Sequence, residues 1–328
     1  MKDPGRKSHG GATGWLRGLP QPVRTLALWH PRYWGMWFGV LLLWGIAWLP
    51  VRWRMALGAW LGRQMGLRNA KRERIVGINL RLCFPELDEA ARAELARAAF
   101  ERAGQAMLDL GYLWLRGRKA LERRWRVHGL DHLQAAQRSG RALLVVTGHV
   151  VGLDVGGVCL SKLCGGGAGP YNPTRKPFIN AWMTHGRTRF GATLMARQDG
   201  LRPLVKALKS GTLVYYIPDE DLGPEHAVFV PFFGVPKATV PMLGRLARLG
   251  DAVVLPYITH LDPKTGLYHI HVEPPLADFP SGDALADTAR MNEVLERMIR
   301  VDPSQYMWGF KLFKTRPSGE ISPYTENK

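Results

Sequence analysis

The sequence is poor in cysteine: Cys83, Cys159 and Cys164 are the only three among 328 residues. Three cysteines are too few for a disulfide framework, so a reducing compartment is the simpler assumption. Cys159 and Cys164 also lack the matching ligand cluster that a zinc site requires. Buried structural thiols are the favoured interpretation, although the sequence leaves open a thiolate role for Cys159 or Cys164.

Several familiar catalytic and cofactor motifs are missing as well. There is no Gly-x-Ser-x-Gly, which argues against the usual serine hydrolase arrangement. The glycines at positions 148, 152, 156 and 157 do not form Gly-x-Gly-x-x-Gly, so no dinucleotide cofactor is expected. The chain does have 46% hydrophobic and 10% aromatic residues, which is enough for a globular core.

Acidic residues are nearly absent from the N-terminal quarter of the chain. Residues 1–82 contain fourteen lysines and arginines but only Asp3 and Glu73, a net charge of +12 out of +18 for the whole chain. A basic region of this kind binds nucleic acid or an anionic lipid surface, and composition alone does not choose between them.

The segment 33–51 favours a lipid surface over nucleic acid, because it has nineteen residues without a charge and is rich in tryptophan. As a helix it would be roughly 28 Å long, close to the hydrocarbon thickness of a bilayer. The segment therefore predicts a membrane helix, and the membrane rather than nucleic acid becomes the expected partner. Pro50 and three glycines leave a half-inserted helix in the interface as the alternative.

Basic residues flank this segment unevenly, with five within twenty residues on its C-terminal side and three on its N-terminal side. This bias favours a cytoplasmic main domain. Residues 52–118 are predicted to form a basic amphipathic helical region, with one helix over 55–82 and another over 88–115.

From residue 119 onward, strand-like and helix-like runs alternate, which predicts an α/β domain over 119–317. A basic tail over 1–32 and a C-terminal tail over 318–328 complete the predicted organisation. The predicted strands are 125–128, 142–147, 192–196, 213–217, 228–231, 253–259 and 268–272, and the predicted helices are 201–209, 243–249 and 283–300.

His149 and Asp154 directly follow the predicted strand 142–147. The turn after such a strand is where open α/β sheets bind ligands, so we expect His149 in the turn and Asp154 in the first turn of the next helix. A carboxylate on one imidazole nitrogen leaves the other nitrogen free to accept a proton from a hydroxyl. The pair is therefore a candidate general base with its orienting acid; a capping Asp beside a loop His is the alternative.

Further charged residues are candidates for substrate binding. Arg187 and Arg189 are predicted on a short glycine-flanked loop, where two guanidiniums can clamp phosphate; a solvated basic turn is the alternative. Asp219 and Asp221 follow the predicted strand 213–217, and a positioning role, with Asp219 pairing a nearby arginine, is preferred over a metal site. Pro256 is expected to shape the floor of the pocket.

Taken in order, four blocks of the chain resemble the acyltransferase motifs of the lysophospholipid acyltransferase superfamily and, more narrowly, those of the late acyltransferases of lipid A biosynthesis. The blocks are Thr147-Gly-His-x-x-x-x-Asp154, Gly186-Arg-Thr-Arg-Phe-Gly191, Pro218-Asp-Glu-Asp-Leu-Gly223 and Val254-Leu-Pro256. Supporting stretches are Asn79-Leu-Arg-Leu-Cys-Phe-Pro-Glu86, Val228-Phe-Val-Pro-Phe-Phe-Gly234, Gln305-Tyr-Met-Trp308 and Phe313-Lys-Thr-Arg-Pro317.

The resemblance implies an α/β fold with a mixed central sheet flanked by helices, together with an N-terminal membrane helix and an amphipathic interfacial helix. It implies an inner-membrane enzyme that moves a fatty acyl chain from acyl carrier protein to a hydroxyl of a phosphorylated, Kdo-bearing lipid A precursor. In this interpretation His149 deprotonates the hydroxyl, Asp154 orients His149, and Arg187 and Arg189 bind phosphate or stabilise the oxyanion. No acyl-enzyme, metal or cofactor is implied.

The chain departs from the family pattern at three places. Asn172, the pair Pro224-Glu225 and the run Gly309-Phe-Lys-Leu312 stand where many members have basic residues. The sequence therefore indicates acyl transfer more firmly than it indicates which lipid accepts the acyl chain. An acyltransferase acting on a lysophospholipid or aminolipid, and a membrane-tethered binding protein without catalysis, are the alternatives.

Overall fold

The computed structural model of the protein describes residues 21–325. Residues 1–20 of the predicted N-terminal tail and residues 326–328 of the predicted C-terminal tail lie outside this range. The α-helices are α1 (Gln21–Arg24), α2 (Trp34–Ile46), α3 (Val51–Leu67), α4 (Ala70–Cys83), α5 (Glu89–Leu115), α6 (Arg118–Glu122), α7 (Leu130–Arg138), α8 (Leu153–Leu163), α9 (Pro177–Thr188), α10 (Arg202–Lys209), α11 (Leu243–Gly250) and α12 (Ala284–Val301).

The strands form one large sheet and one hairpin. They are β1 (Trp125–His128), β2 (Ala142–Val146), β3 (Gly167–Tyr171), β4 (Ala192–Ala196), β5 (Val214–Tyr216), β6 (Val228–Phe232), β7 (Val235–Thr239), β8 (Ala252–Leu261) and β9 (Tyr268–Val272). The large sheet has the order β1-β9-β8-β2-β5-β3-β4, and β6 pairs with β7. Only β8 and β9 run antiparallel within the seven strands. The predicted mixed α/β sheet is confirmed.

The central strand β2 is buried along its whole length, and its side chains alternate between two cores. Leu144 and Val146 face a core that includes residues of α4, α11 and α12. Leu143 and Val145 face a second core that includes residues of α3, α7 and α8. Because both faces are covered, the strand is a continuous apolar run, as is typical of parallel sheets.

The apolar segment 33–51 does not form one helix. Helix α2 ends at Ile46, and α3 begins at Val51, directly after Pro50. Pro50 has an extended ψ of 144°, so it stands outside both helices. The 13 residues of α2 give a helix of about 20 Å, shorter than the roughly 30 Å of a hydrocarbon core. Among residues 21–325, no helix combines the length and apolar character needed to cross a bilayer, and the single membrane helix predicted over residues 33–51 is not formed.

The predicted basic helix over 55–82 is likewise two helices, α3 and α4, which separate at Arg68 and Asn69. The Asn69 side chain accepts a hydrogen bond from the backbone N–H of Arg72 at 3.0 Å and caps the start of α4. The second predicted helix of this region, over 88–115, corresponds to α5 with Asp88 as its N-terminal cap.

Helices α3 and α5 cross at glycines, which lets their backbones touch. A Cβ added to Gly62 would lie 2.0 Å from the carbonyl oxygen of Phe100, and one added to Gly104 would lie 2.2 Å from that of Gly58. This contact joins α3 to α5, the long helix that packs beside the α/β domain.

A buried ionic network fastens these helices to the sheet. Asp109 of α5 accepts hydrogen bonds from Arg54 of α3 at 2.7 Å, from Arg124 at 2.8 Å and from the Tyr268 hydroxyl of β9 at 2.9 Å. The two arginines and the aspartate are all buried. The Asp109 carboxylate therefore compensates the buried positive charges of Arg54 and Arg124, and the two guanidiniums stabilise its negative charge.

Replacing Asp109 by alanine is expected to lower the free energy of unfolding by about 3–5 kcal/mol, because two guanidiniums stay buried without their carboxylate. Thermal unfolding of the purified protein measures this change. The control is Glu94→Ala, which removes an exposed pair with Arg97 and should have little effect. Equal losses in the two variants would contradict the structural role of Asp109.

Candidate active site

His149 lies at the carboxyl end of β2, in the turn between β2 and α8. The C-terminal segment holds this turn: the N–H of Val151 donates to the Gln305 carbonyl, and the N–H of Met307 donates to the His149 carbonyl, both at 2.9 Å. Asp154 lies in the first turn of α8. The predicted placement of both residues is therefore correct.

The carboxylate that holds His149 is Asp219, not Asp154. Nδ1 of His149 is 2.5 Å from Oδ1 of Asp219, and the backbone N–H of His149 donates to Oδ2 at 2.6 Å. The Tyr306 hydroxyl donates to the same Oδ2 at 2.8 Å. Asp219 follows β5, which is the parallel neighbour of β2, so the two carboxyl ends meet at one edge of the sheet.

Asp154 instead pairs with Arg187. Nε of Arg187 donates to Oδ1 of Asp154 at 2.7 Å, and both side chains are partly exposed. The predicted pairing of Asp154 with His149 is thus wrong. The physical reason is that the guanidinium of Arg187 binds the Asp154 carboxylate. The His149 imidazole is bound instead by Asp219, which follows the neighbouring strand β5.

The charges of His149 and Asp219 stabilise each other. Burial disfavours the imidazolium, but the charge and hydrogen bond of Asp219 outweigh it, with help from Glu220, and the pKa of His149 lies above its ordinary value. Burial also opposes the Asp219 anion, yet His149, the backbone N–H and Tyr306 lower the pKa of Asp219 to about 2. Asp219 is therefore a fixed anion that holds Nδ1–H. Nε2, the other ring nitrogen of His149, lies 3.5 Å from Oε1 of Glu220.

Two cavities meet at His149. The first, about 280 Å³, extends between helices α8 and α9 and strands β3, β4 and β5, and the buried residues Tyr215 and Tyr257 are among its lining. The second, about 350 Å³, extends between α5 and the turn after β2. Both are lined by His149, Leu153, Asp154 and Arg187. A group bound in either cavity thus lies beside the imidazole.

Comparison with known proteins gives the family of the chain. Residues 22–315 match the family model described as bacterial lipid A biosynthesis acyltransferase. The chain belongs to this family. It is therefore an acyltransferase, and the family predicted from the sequence blocks is confirmed.

Two Escherichia coli (strain K12) relatives have similar length. The lipid A biosynthesis myristoyltransferase is 38% identical over 296 residues, which covers 90% of this chain and 91% of that protein. The lipid A biosynthesis lauroyltransferase is 37% identical over 305 residues, covering 92% and 99% respectively. Among solved structures, a 1-acyl-sn-glycerophosphate acyltransferase from Thermotoga maritima matches with 17% identity and a TM-score of 0.35, covering 73% of this chain and 98% of that chain.

Arg187 and Arg189 do not form the clamp on a short loop that the sequence predicts. Both belong to the C-terminal end of α9, where Arg187 lies in the last turn and Arg189 caps the helix. Arg189 donates its guanidinium hydrogen bonds to the carbonyls of Leu113 and Arg116 at the end of α5. Arg189 therefore joins two helices, and only Arg187 faces the cavities.

Arg189→Gln is expected to lower the free energy of unfolding by about 1–3 kcal/mol, because two carbonyls lose their charged donor. The Michaelis constants of both substrates should stay close to those of the wild type. Thermal unfolding and steady-state kinetics on the same preparation measure the two effects. A raised Michaelis constant with unchanged stability would restore the phosphate-binding role predicted from the sequence.

Two of the three acidic residues after β5 lie against His149. Asp219 holds Nδ1, while Glu220 pairs with Arg197 at 2.7 Å and has its other oxygen 3.5 Å from Nε2. Asp221 accepts from the backbone N–H and hydroxyl of Thr315 at 2.7 and 2.8 Å. The predicted pairing of Asp219 with an arginine is wrong. Within residues 21–325, no group of three or more His, Cys, Asp or Glu side chains is arranged to hold a metal ion.

Pro256 lies inside β8 rather than at its end, and its register partner is Val146 of β2. It is not among the residues that line the two cavities at His149, so its predicted place on the pocket floor is wrong. It contributes to the sheet on which the site is built.

The cysteines are free thiols away from the imidazole. None of the three lines a cavity that contains His149. Burial raises the pKa of Cys159 to about 12 and that of Cys164 to about 11, and it raises the pKa of Cys83 further. Protonated, buried thiols are poor nucleophiles, as expected for structural residues.

Tyr306 is the residue of the site that the sequence left without a role. It belongs to the supporting stretch 305–308, and that stretch is held in place by Asn79 of α4, whose side-chain amide donates to the carbonyls of Trp308 and Phe310, both at 2.7 Å. The one available signal was that both stretches belong to the family resemblance. Tyr306 and Asp219 are 87 positions apart, so no local sequence pattern predicts that they are in contact.

Proposed function

We propose that the protein transfers a fatty acyl chain from acyl carrier protein to a hydroxyl of a Kdo-bearing lipid A precursor. The observation that carries this proposal is the His149 imidazole, which Asp219 holds through Nδ1 and which lines two cavities. An imidazole so held is suited to take a proton from an alcohol.

The reaction needs one base and no covalent enzyme intermediate. The acceptor oxygen attacks the thioester carbonyl as its proton passes to Nε2 of His149. The resulting oxyanion is stabilised by the guanidinium N–H groups of Arg187 that Asp154 does not use. When the carbon–sulfur bond breaks, the imidazolium returns the proton to the thiolate, which leaves an ester and a free thiol.

Both proposed substrates are anionic, and the protein is strongly basic at +18. This charge raises the local concentration of an acidic carrier protein and of a phosphorylated lipid. The donor's acyl chain fits the apolar lining of the first cavity, where Val158, Met183 and Leu194 face inward.

We further propose that α2 and α3 hold the protein at the cytoplasmic face of the inner membrane, lying in the interface. Large apolar side chains on these two helices face away from the rest of the protein, and arginines lie beside them, as is typical of interfacial helices. The exposed side chains are Trp34, Phe38, Leu41, Leu42, Trp44, Trp53, Trp60, Met65 and Leu67.

The test is incubation of the purified protein with acyl carrier proteins of several chain lengths and a Kdo-bearing lipid A precursor, followed by mass spectrometry. We expect one added acyl ester on the precursor and a free carrier thiol. Acylation of a lysophospholipid or aminolipid in place of the precursor would replace the proposed acceptor. Absence of transfer to all three lipids would favour a binding protein without catalysis.

A further inference from the structure

A third cavity, about 600 Å³, lies between α3, α4, α5 and the segment 306–310. Its walls are largely apolar, with Leu61, Val76, Phe100 and Trp308 among the lining residues. It shares Ala103, Val151, Met307 and Phe310 with the second cavity at His149. We call this space the trough. A chain bound in it extends toward the imidazole.

The trough differs from the two cavities at His149 in its charge. The cavities at His149 are lined by carboxylates as well as arginines, and Arg187 and Arg197 each pair with one. The trough is lined by Arg68 and Arg72 but by no aspartate or glutamate. Within residues 21–325, neither arginine has a carboxylate partner. Two positive charges beside an apolar space suit an anionic head joined to a hydrocarbon chain.

Arg72 is held in position at the trough. Its Nη1 donates to the carbonyl of Gly309 at 3.0 Å. A Cβ at position 309 would lie 2.8 Å from Cδ of Arg72, so the missing side chain leaves the room that Arg72 occupies. Arg72 also lies in the first turn of α4, where the helix dipole favours an anion.

The trough opens beside the proposed membrane face. Met65 and Leu67 of α3 are 48% and 73% exposed, and Met307 on the other rim is 41% exposed. Met65 and Met307 both line the trough. A lipid can therefore enter from the membrane side without its chain crossing water.

From this geometry we infer that the trough is the acceptor subsite: it holds an acyl chain already present on the acceptor lipid, while Arg68 and Arg72 bind a phosphate of that same lipid. This assignment rests on the proposed acceptor. The first cavity then belongs to the donor, and the two substrates meet at His149 from opposite sides.

The test is the double variant Arg68→Gln/Arg72→Gln, with Arg81→Gln as the matched control. Arg81 lies on α4, as Arg72 does, but it is exposed and does not line the trough. We expect the Michaelis constant for the acceptor to rise about 10- to 100-fold in the double variant, because charge-assisted hydrogen bonds to phosphate are lost. The Michaelis constant for acyl carrier protein and kcat should stay unchanged, and the control should match the wild type.

A precursor without its phosphates provides the second measurement. The wild type should bind this analogue as weakly as the double variant binds the phosphorylated lipid, and the difference between the two proteins should vanish. A raised Michaelis constant for acyl carrier protein, with that of the acceptor unchanged, would instead assign the arginines to the donor and overturn the inference.

Direct binding separates this inference from the proposed function. Binding of the phosphorylated precursor to detergent-solubilised protein is measured without turnover. Weaker binding by the double variant supports the subsite even if the acyl donor proves to be another thioester. Equal binding by the double variant and the wild type overturns the subsite even if acyl transfer from acyl carrier protein is observed.

Discussion

Replacing His149 by alanine is expected to lower the rate of acyl transfer by about 10²- to 10⁴-fold, because a positioned general base contributes a factor of this size. The variant should fold, since Asp219 keeps its hydrogen bonds from the backbone N–H of residue 149 and from Tyr306. Initial rates with purified protein at saturating concentrations of both substrates measure the effect.

The matched control is His128→Ala, which removes an exposed imidazole at the end of β1, remote from the cavities. Its rate should equal that of the wild type. Transfer that persists undiminished in a folded His149→Ala protein would show that another group takes the proton from the acceptor.

Sequence periodicity was enough to predict most of the sheet. The bounds of β1, β4 and β9 agree with the predicted strands, because these runs combine β-branched, aromatic and apolar residues between turn residues. Strand β3 was missed, since Gly167-Ala-Gly-Pro-Tyr171 has little strand propensity. Tertiary packing explains its composition: a Cβ at Gly167 would lie 2.7 Å from the Tyr215 ring.

The apolar segment 33–51 shows that hydropathy alone does not predict helix boundaries. Its hydropathy predicts burial in lipid but says nothing about where a helix ends. Pro50 stands between α2 and α3, so the apolar segment forms two shorter helices in place of one span. The proline, not the mean hydropathy of the segment, therefore decides where the helices end.

The partner of His149 could not be found by spacing at all. His149 and Asp219 are 70 positions apart, and they meet because β5 pairs with β2 in the sheet order. The sequence does indicate that both residues follow strands. Strand order, however, depends on which crossovers pack best, and that information is spread over the whole core.

Replacing Asp219 by asparagine is therefore the sharpest test of the site. In the wild type, Oδ2 accepts from the His149 backbone N–H and from the Tyr306 hydroxyl, so an oxygen is required at that position. The asparagine amide must then turn its NH₂ group toward Nδ1 of His149. Two donors cannot face each other, so Nδ1 becomes the acceptor and the proton moves to Nε2.

An imidazole with its proton on Nε2 cannot deprotonate the acceptor, so we expect the rate of Asp219→Asn to fall by about 10²- to 10⁴-fold. The residual activity should also have a different pH dependence. Activity requires neutral His149, whose pKa the Asp219 charge raises, so the wild-type rate should increase with pH through a pKa above the ordinary value of histidine. Loss of that charge should move this acid limb to lower pH.

Asp154→Asn is the matched control, because it makes the same change at a carboxylate that lines both cavities at His149. Its partner is Arg187, so it should leave the tautomer of His149 and the acid limb of the pH profile unchanged, and its rate should fall less than that of Asp219→Asn. If instead the Asp154 variant loses activity and shifts the acid limb while the Asp219 variant does neither, the orienting acid is the one predicted by spacing. The pH profiles of the two variants thus decide between the two carboxylates, since loss of stability alone lowers the amount of active enzyme without moving its pKa.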